Sequence, residues 1–319
     1  MIVCIGDVMV DVFPAGEGGE EDAERRHPGG KASIYAVTAR ALGSPSAVIG
    51  CTGPDKDGAD IREVLRLAGT DVSALVELDT ESTGADFFEP EGWRMERAAN
   101  WALTAEHVRD GLSDLATGDT GISAVIVNQG IPSQASEAAV TYARDNDRFL
   151  VLHLGPEAIE ERRKIDPSFY RLADVIVVSQ READVLAEHL GLDADGRDGA
   201  ALARMLFDAT RPRWALLLSW GVGGGHLVSR SDTGVLMAAV PASAGTDHPV
   251  ENYIGANDTA VSAWVTWLVQ GSAAPAERDF AEVTELFEQA VQMAAVTLDY
   301  PGPLTAAVSA PERLAPHTA

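Results

Sequence analysis

The chain has 319 residues, a formal charge of −25 and 46% hydrophobic residues. That is enough length and apolar material for one large α/β domain or two smaller ones, which excludes a disordered chain, and so acidic a surface excludes nucleic acid and anionic membrane as partners. No apolar run reaches the roughly 18 residues that span a bilayer, and no basic leader precedes the strand-like start, so the expectation is a cytoplasmic protein.

Residues 2–12 read as an apolar strand interrupted by Asp7 and closed by Asp11, and 16–27 as a polar, acidic, glycine-rich loop or flap. Pro28-Gly29-Gly30-Lys31 then opens an Ala-rich helix that runs to about Ala41 and stops at Gly43. A second strand, 46–51, turns through Gly53-Pro54-Asp55-Lys56-Asp57-Gly58 into an amphipathic helix over 60–68, ended by Gly69. Residues 76–97 read as strand, turn, strand about Pro90-Glu91-Gly92. From Gly121 onward, strands at 124–128, 149–154, 175–178 and 214–219 alternate with helices at 134–145, 156–164, 180–189 and 199–209. Short, nearly continuous apolar strands in that alternation imply a parallel sheet covered on both faces by helices. Antiparallel strands at 226–229 and 234–240 and helices at 259–269 and 280–298 complete the chain. Cys4 and Cys51 both lie in strand-like surroundings: a disulfide and two buried thiols both fit, and a reducing cytoplasm favours the thiols.

Chemistry concentrates in Ile254-Gly255-Ala256-Asn257-Asp258-Thr259, a turn feeding a helix. A helix start leaves backbone N–H groups unpaired and carries the positive end of the dipole, and small residues let an anion approach that backbone. Asp258 has two readings there: an N-cap, or a carboxylate placed to take a proton from a hydroxyl as it attacks phosphorus. Lys31, one of only three lysines, sits on a first helical turn where a cation is disfavoured, which argues for a functional role. Asp11 is expected to touch substrate and Asp7 to be structural. Gly221-Val222-Gly223-Gly224-Gly225 is not a dinucleotide loop, because a strand follows it rather than a helix. His153 and His226 read as strand-end histidines without catalytic duty, Trp264 and Trp267 as helix packing, and no residue cluster has transition-metal spacing.

Two motifs, some 225 residues apart, carry a resemblance over essentially the whole chain. Pro28-Gly29-Gly30-Lys31-Ala32-Ser33-Ile34-Tyr35-Ala36-Val37 resembles the N-terminal Gly-Gly signature of the ribokinase-like (PfkB) sugar and nucleoside kinases, and Ile254-Gly255-Ala256-Asn257-Asp258-Thr259 their C-terminal Gly-Ala-Gly-Asp signature. The resemblance implies one α/β ribokinase-like domain over 1–319, a doubly wound, mostly parallel sheet flanked by helices, with a small β-sheet lid from about 12–27 and 76–97. It implies Asp258 as catalytic base, with the backbone of Gly255, Ala256 and Asn257 as the anion hole. Asp11, Gly29, Gly30, Lys31 and Ile34 would meet the substrate. Ser179, Glu182, Ser219, Gly221 and Gly224 would meet the nucleotide, Glu182 acting on the metal indirectly through Mg-nucleotide. The implied chemistry is phosphoryl transfer from ATP with Mg²⁺ to a hydroxyl of a sugar or polyol, by positioning and charge neutralisation. Lids of this kind pair edge strands in some relatives, which points to a homodimer.

The sequence also departs from the family pattern. Ile34 stands where the first signature carries Asn, Asn252 and Asn257 replace Asp and Gly of the second, Ser179 replaces the Asn of Asn-x-x-Glu, and His153-Leu154-Gly155 lies where Asp-Pro-Asn is common. If Asn257 takes over a positive φ from glycine, Asn is the least costly substitute. These departures keep two alternatives beside the sugar kinase: a non-catalytic ligand-binding or regulatory protein on the kinase fold, and a nucleoside kinase. Substrate choice is expected to lie in the lid and around Asp11, Ile34 and Gly130.

Overall fold

The computed structural model describes residues 1–14, 24–89, 92–118, 121–155, 167–231, 234–243, 253–271, 273–300 and 304. Thirteen strands occur among them, in two sheets. The larger has nine strands in the order β13-β12-β11-β10-β9-β8-β1-β4-β5. In chain order these are β1 (Ile2–Ile5), β4 (Ser46–Thr52), β5 (Leu75–Glu77), β8 (Ala124–Asn128), β9 (Phe149–His153) and β10 (Val175–Val178), then β11 (Ala215–Ser219), β12 (Gly225–Ser231) and β13 (Gly234–Val240). The first seven of these pair in parallel, and β12 and β13 add an antiparallel edge.

Strand alternation sorts the core onto two faces. Ile2, Cys4, Ala124, Ile126, Val175 and Val177 pack to one side with α1 (Lys31–Ala41), α2 (Lys56–Leu67) and, near the C-terminus, α7 (Ala256–Gln270) and α8 (Phe280–Val296). Val3, Ile5, Val125, Val127, Ile176 and Val178 face α3 (Ala105–Ala116), α4 (Ser133–Asp145), α5 (Gln180–His189) and α6 (Gly199–Thr210). Because both faces are covered, the central strands read as unbroken apolar runs. Cys4 and Cys51 are buried free thiols.

The second sheet is a lid of four strands in the order β3-β2-β6-β7, where β2 is Met9–Phe13, β3 Arg25–Gly29, β6 Gly84–Glu89 and β7 Gly92–Glu96. Three boundaries differ from the sequence expectation. The single strand expected over 2–12 is two: the chain leaves the large sheet at Gly6-Asp7-Val8 and enters the lid. Asn100 clamps that crossing, its amide oxygen accepting from Val8 N–H at 2.9 Å and its amide nitrogen donating to Val8 O at 3.0 Å. The part of 76–97 nearest its start belongs elsewhere, since β5 pairs with β4 in the large sheet and the lid begins at Gly84. Arg25–Gly29, expected as the end of the flap and the opening of the helix, is strand paired with β2, and residues 16–23 of the flap lie outside the described residues. The helix expected at 156–164, the turn residues Pro90 and Glu91, and Asn252 lie outside the described residues. Helix α3 was not anticipated.

The carboxyl ends of β1, β8, β9, β10 and β11 deliver Asp7, Asn128 to Gly130, His153, Ser179 and Ser219 to one edge of the sheet. The strand order reverses between β1 and β8, and a ligand crevice forms at such a switch point.

Candidate active site

Helix α7 starts without a side-chain cap: Gly255 is the N-cap residue, left-handed at φ 78°. Asp258 is therefore not the cap but stands in the first turn, 7% exposed. Thr259 hydrogen-bonds back to Gly255 O through both its N–H and its hydroxyl, while the amides of the residues before it belong to the turn that no helix satisfies internally. Burial raises the Asp258 carboxyl above its usual range. Lys31 foremost, then His153, oppose that shift, and Glu182 adds to it. The positive φ belongs to Gly255, and Asn257 lies within helical backbone. The expectation that Asn257 takes over a positive φ is thus corrected.

Around Asp258 three helix starts converge. Lys31 Nζ donates to Glu182 Oε1 at 2.9 Å. Glu182 is 3% exposed, and its other oxygen accepts from Ser179 N–H at 2.7 Å, closing a capping box with the Ser179 hydroxyl at the start of α5. Burial would raise the Glu182 pKa, but Lys31 and then His153 hold it well below the carboxylate range. Burial likewise works against the Lys31 ammonium, and Glu182 and Asp258 outweigh it, keeping the group charged. His153 is wholly buried in the middle of the group: Nε2 lies 3.3 Å from Lys31 Nζ and from Glu182 Oε2, and Nδ1 lies 3.5 Å from Asp258 Oδ1 and contacts the Tyr35 hydroxyl. Ser262 Oγ of α7 donates to Tyr35 O of α1 at 2.8 Å, which fixes the two helices' relative position.

Beside this group is a cavity of about 190 Å³, lined by Asp7, Lys31, Gly130, Ser179 and Glu182 from the large sheet's edge and by Asp86, Trp93, Met95 and Arg97 from the lid. A Cβ on Gly130 would overlap the Asp7 carboxylate, and one on Gly29 the Asp11 carboxylate, so each glycine makes room for an aspartate. Gly30, at φ 87°, is the N-cap of α1. Arg97 reaches Asp7 Oδ1 at 3.3 Å and also donates to Gly130 O. Asp11 is 6% exposed, and burial raises its pKa well above the usual range, with Asp86 and then Asp258 adding to the effect. Ile34 packs into the core on the α1 side, and neither it nor Asp11, Gly29 or Gly30 lines the cavity, whereas Asp7, expected to be structural, does.

On the other side of α7, Asn257 Oδ1 accepts from Ser219 Oγ at 2.6 Å and from Gly221 N–H at 3.2 Å. The side chain therefore points towards the 219–224 turn. Gly221 packs on the Asn257 backbone and Gly224 on Val240 and Pro241, each too close for a Cβ.

The structure thus brings Lys31, Glu182, Asp258, Asn257, Ser219 and Gly221 to one edge. It adds His153, Tyr35, Asp86, Trp93 and Arg97, which the sequence reading did not select. Two of these left a signal: Tyr35 follows Lys31 by four residues on one helix face, and His153 stands where the family commonly has Asp.

A doubly wound sheet with a β lid over the carboxyl ends of its strands defines the ribokinase-like fold. A ribokinase structure from Giardia lamblia superposes with a TM-score of 0.76 at 19% identity, covering 98% of each chain. A fructokinase from Xylella fastidiosa with bound ATP superposes at 0.75 and 20% identity, covering 98% of this chain and 97% of that one. The family model of the pfkB carbohydrate kinases matches residues 1–310, and the chain belongs to that family. A ribokinase from Haemophilus influenzae is 25% identical over 184 residues, 56% of either chain, so the match spans little more than half of that relative's length.

Proposed function

We propose that the protein transfers the γ-phosphoryl group of ATP to a hydroxyl of a sugar or sugar-like molecule, with Asp258 as general base. The observation that carries this reading is a buried carboxylate in the first turn of an uncapped helix, joined through His153 to the Lys31–Glu182 pair that lines a lidded cavity. The anion hole is the backbone of Gly255, Ala256 and Asn257, where the dipole and unpaired N–H groups would neutralise phosphoryl oxygens. Asp11, Gly29, Gly30 and Lys31 would position the acceptor under the lid, and Asp258 would take its proton as the oxygen attacks.

Among the described residues no group of three His, Cys, Asp or Glu side chains gathers to hold a metal. Glu182 is engaged by Lys31 and Ser179. The site fits a Mg²⁺ ion carried on nucleotide phosphates rather than caged by protein. When bound, that ion neutralises charge on the transferring group.

Asn257 favours a second reading, a non-catalytic ligand binder, because its side chain already occupies the Gly221 amide of the expected nucleotide turn. A thermal-shift and turnover panel tests both. It would offer sugars, polyols and nucleosides with ATP, with and without Mg²⁺. Mg-dependent phosphorylation of one hydroxyl class supports the kinase. Stabilisation by a small ligand with no response to nucleotide supports the binder, and nucleosides outperforming free sugars would redirect the kinase reading to nucleosides.

A further inference from the structure

His153 has no assigned duty in this chemistry, yet both of its ring nitrogens meet the groups that do. A neutral imidazole carries one ring proton, and the tautomer is set by the partner on the other nitrogen. On the Nε2 side, Lys31 Nζ at 3.3 Å has only protons to give, and Glu182 Oε2 at 3.3 Å has only lone pairs. Both oxygens of Glu182 already have a donor, from Lys31 and from Ser179 N–H. Asp258 differs: its Oδ1 is buried without a hydrogen-bond partner, and His153 Nδ1 lies 3.5 Å from it. The Tyr35 hydroxyl contacts Nδ1 and lowers the pKa of the neighbouring Asp258, and it has one proton to donate as well as lone pairs to accept with. With one proton on the ring, the arrangement that serves Asp258 has Lys31 donating to Nε2, Nδ1–H donating to the Tyr35 oxygen, and the Tyr35 O–H donating to Asp258. Every donor in that series points towards the carboxylate.

We propose that Lys31, His153 and Tyr35 form a directed donor chain ending on Asp258, and that His153, held as its Nδ1–H tautomer, is a positioning residue that keeps Asp258 ionised and oriented as base. No proton travels along the chain. His153 retains its own, and the proton from the acceptor hydroxyl ends on Asp258. The charged and titratable groups facing the ring come from separate elements: Lys31 and Tyr35 from α1, Glu182 from α5 and Asp258 from α7. Burial keeps Tyr35 a phenol, able to donate. This inference rests on the kinase reading for the role of Asp258, but the tautomer and the direction of the chain do not.

Two measurements test it. Nitrogen-15 NMR of histidine-labelled protein above neutral pH reads the His153 tautomer with no ligand present. The expected pattern is protonated Nδ1 and bare Nε2, with the Nδ1 signal moving in Asp258→Asn. Protonation at Nε2, alone or on a doubly protonated ring, would overturn the chain. Kinetics then reads its effect on the base. Tyr35→Phe and His153→Leu should each lower kcat by about 10- to 100-fold with little change in acceptor KM, and the double variant should lose no more than either alone, as groups acting as one unit do. His153→Gln, which can accept from Lys31 and donate to Tyr35 at once, should keep most of the activity, and it remains informative if the leucine variant fails to fold. Losses that multiply, or that fall on KM, assign His153 a packing role only and overturn the proposal. A protein with the Nδ1–H tautomer and no turnover on any acceptor would sink the kinase reading while leaving the chain intact.

Discussion

Asn257 grips Ser219: its side-chain oxygen accepts from the Ser219 hydroxyl at 2.6 Å and, next to it, from the Gly221 amide at 3.2 Å. Glycine at this position, the usual family residue, could not make either bond. The substitution therefore trades an open amide on the nucleotide side for a tether between α7 and the 219–224 turn. Asn257→Gly should cost stability, about 1–3 kcal/mol for the buried partners left unpaired, and should tighten ATP binding by freeing the Gly221 N–H. Calorimetric titration alongside a melting curve checks both signs. Weaker binding in the variant would mean that the Asn257 amide is itself a nucleotide contact.

Asp258 is the residue on which the kinase reading turns. Asp258→Asn keeps shape and polarity but cannot accept the acceptor's proton, so turnover should fall by about 10²- to 10⁴-fold, the usual size of a general-base contribution. Burial raises the carboxyl's pKa, so ionising it costs the folded state, and the neutral amide should leave the melting temperature level or higher. Retained activity would sink the base assignment, and a large drop in melting temperature would make the loss of activity uninformative about chemistry.

How much of this could be read from the sequence depended on how local the cause was. Strands β8 and β10 were legible to the residue because burial on both faces makes an apolar run that polar residues bound. The crossing from the large sheet to the lid was not, since Val8 is as apolar as the strands it separates and the determinant, Asn100, lies 92 residues away. Helix α3 was missed although Thr104 and His107 form its capping box, because its apolar positions reduce to Val108, Leu112 and Leu115 in a polar stretch. At the site, Lys31 and Asp258 could be singled out because each sits where a helix dipole gives it meaning. His153 could not. Its surroundings come from α1, α5 and α7, and its strand-end position is equally ordinary for a histidine with no role.

Gly130 and Asp7 give a steric prediction at the acceptor side. A Cβ on Gly130 overlaps the Asp7 carboxylate, and that carboxylate has little freedom to retreat because Arg97 holds both it and the Gly130 carbonyl. Gly130→Ala should destabilise the protein by about 1–3 kcal/mol, the range for overpacking a close contact. It should also raise acceptor KM more than nucleotide KM, since Asp7, Arg97 and Gly130 line the cavity and the 219–224 turn does not. Equal effects on both KM values would argue that this wall is not the acceptor's.

Asp11 gives a pH prediction whose sign follows from its surroundings. Burial first, then the neighbouring Asp86 and Asp258 carboxylates, raise its folded-state pKa well above the unfolded value. The folded protein therefore holds a proton that the unfolded chain releases as pH climbs past the ordinary carboxylate range. Over that window, from the unfolded pKa near 4 upward to the folded pKa, Asp11 increasingly opposes folding. Asp11→Asn removes the titration while keeping the shape. The variant should melt above the wild type at neutral pH, and the difference should shrink as pH falls towards 4. Melting curves at a series of pH values measure this directly. A pH-independent difference would show that the carboxylate is not buried against its neighbours as the structure has it. A variant less stable at neutral pH would show that the ionised form finds a cationic partner under the lid.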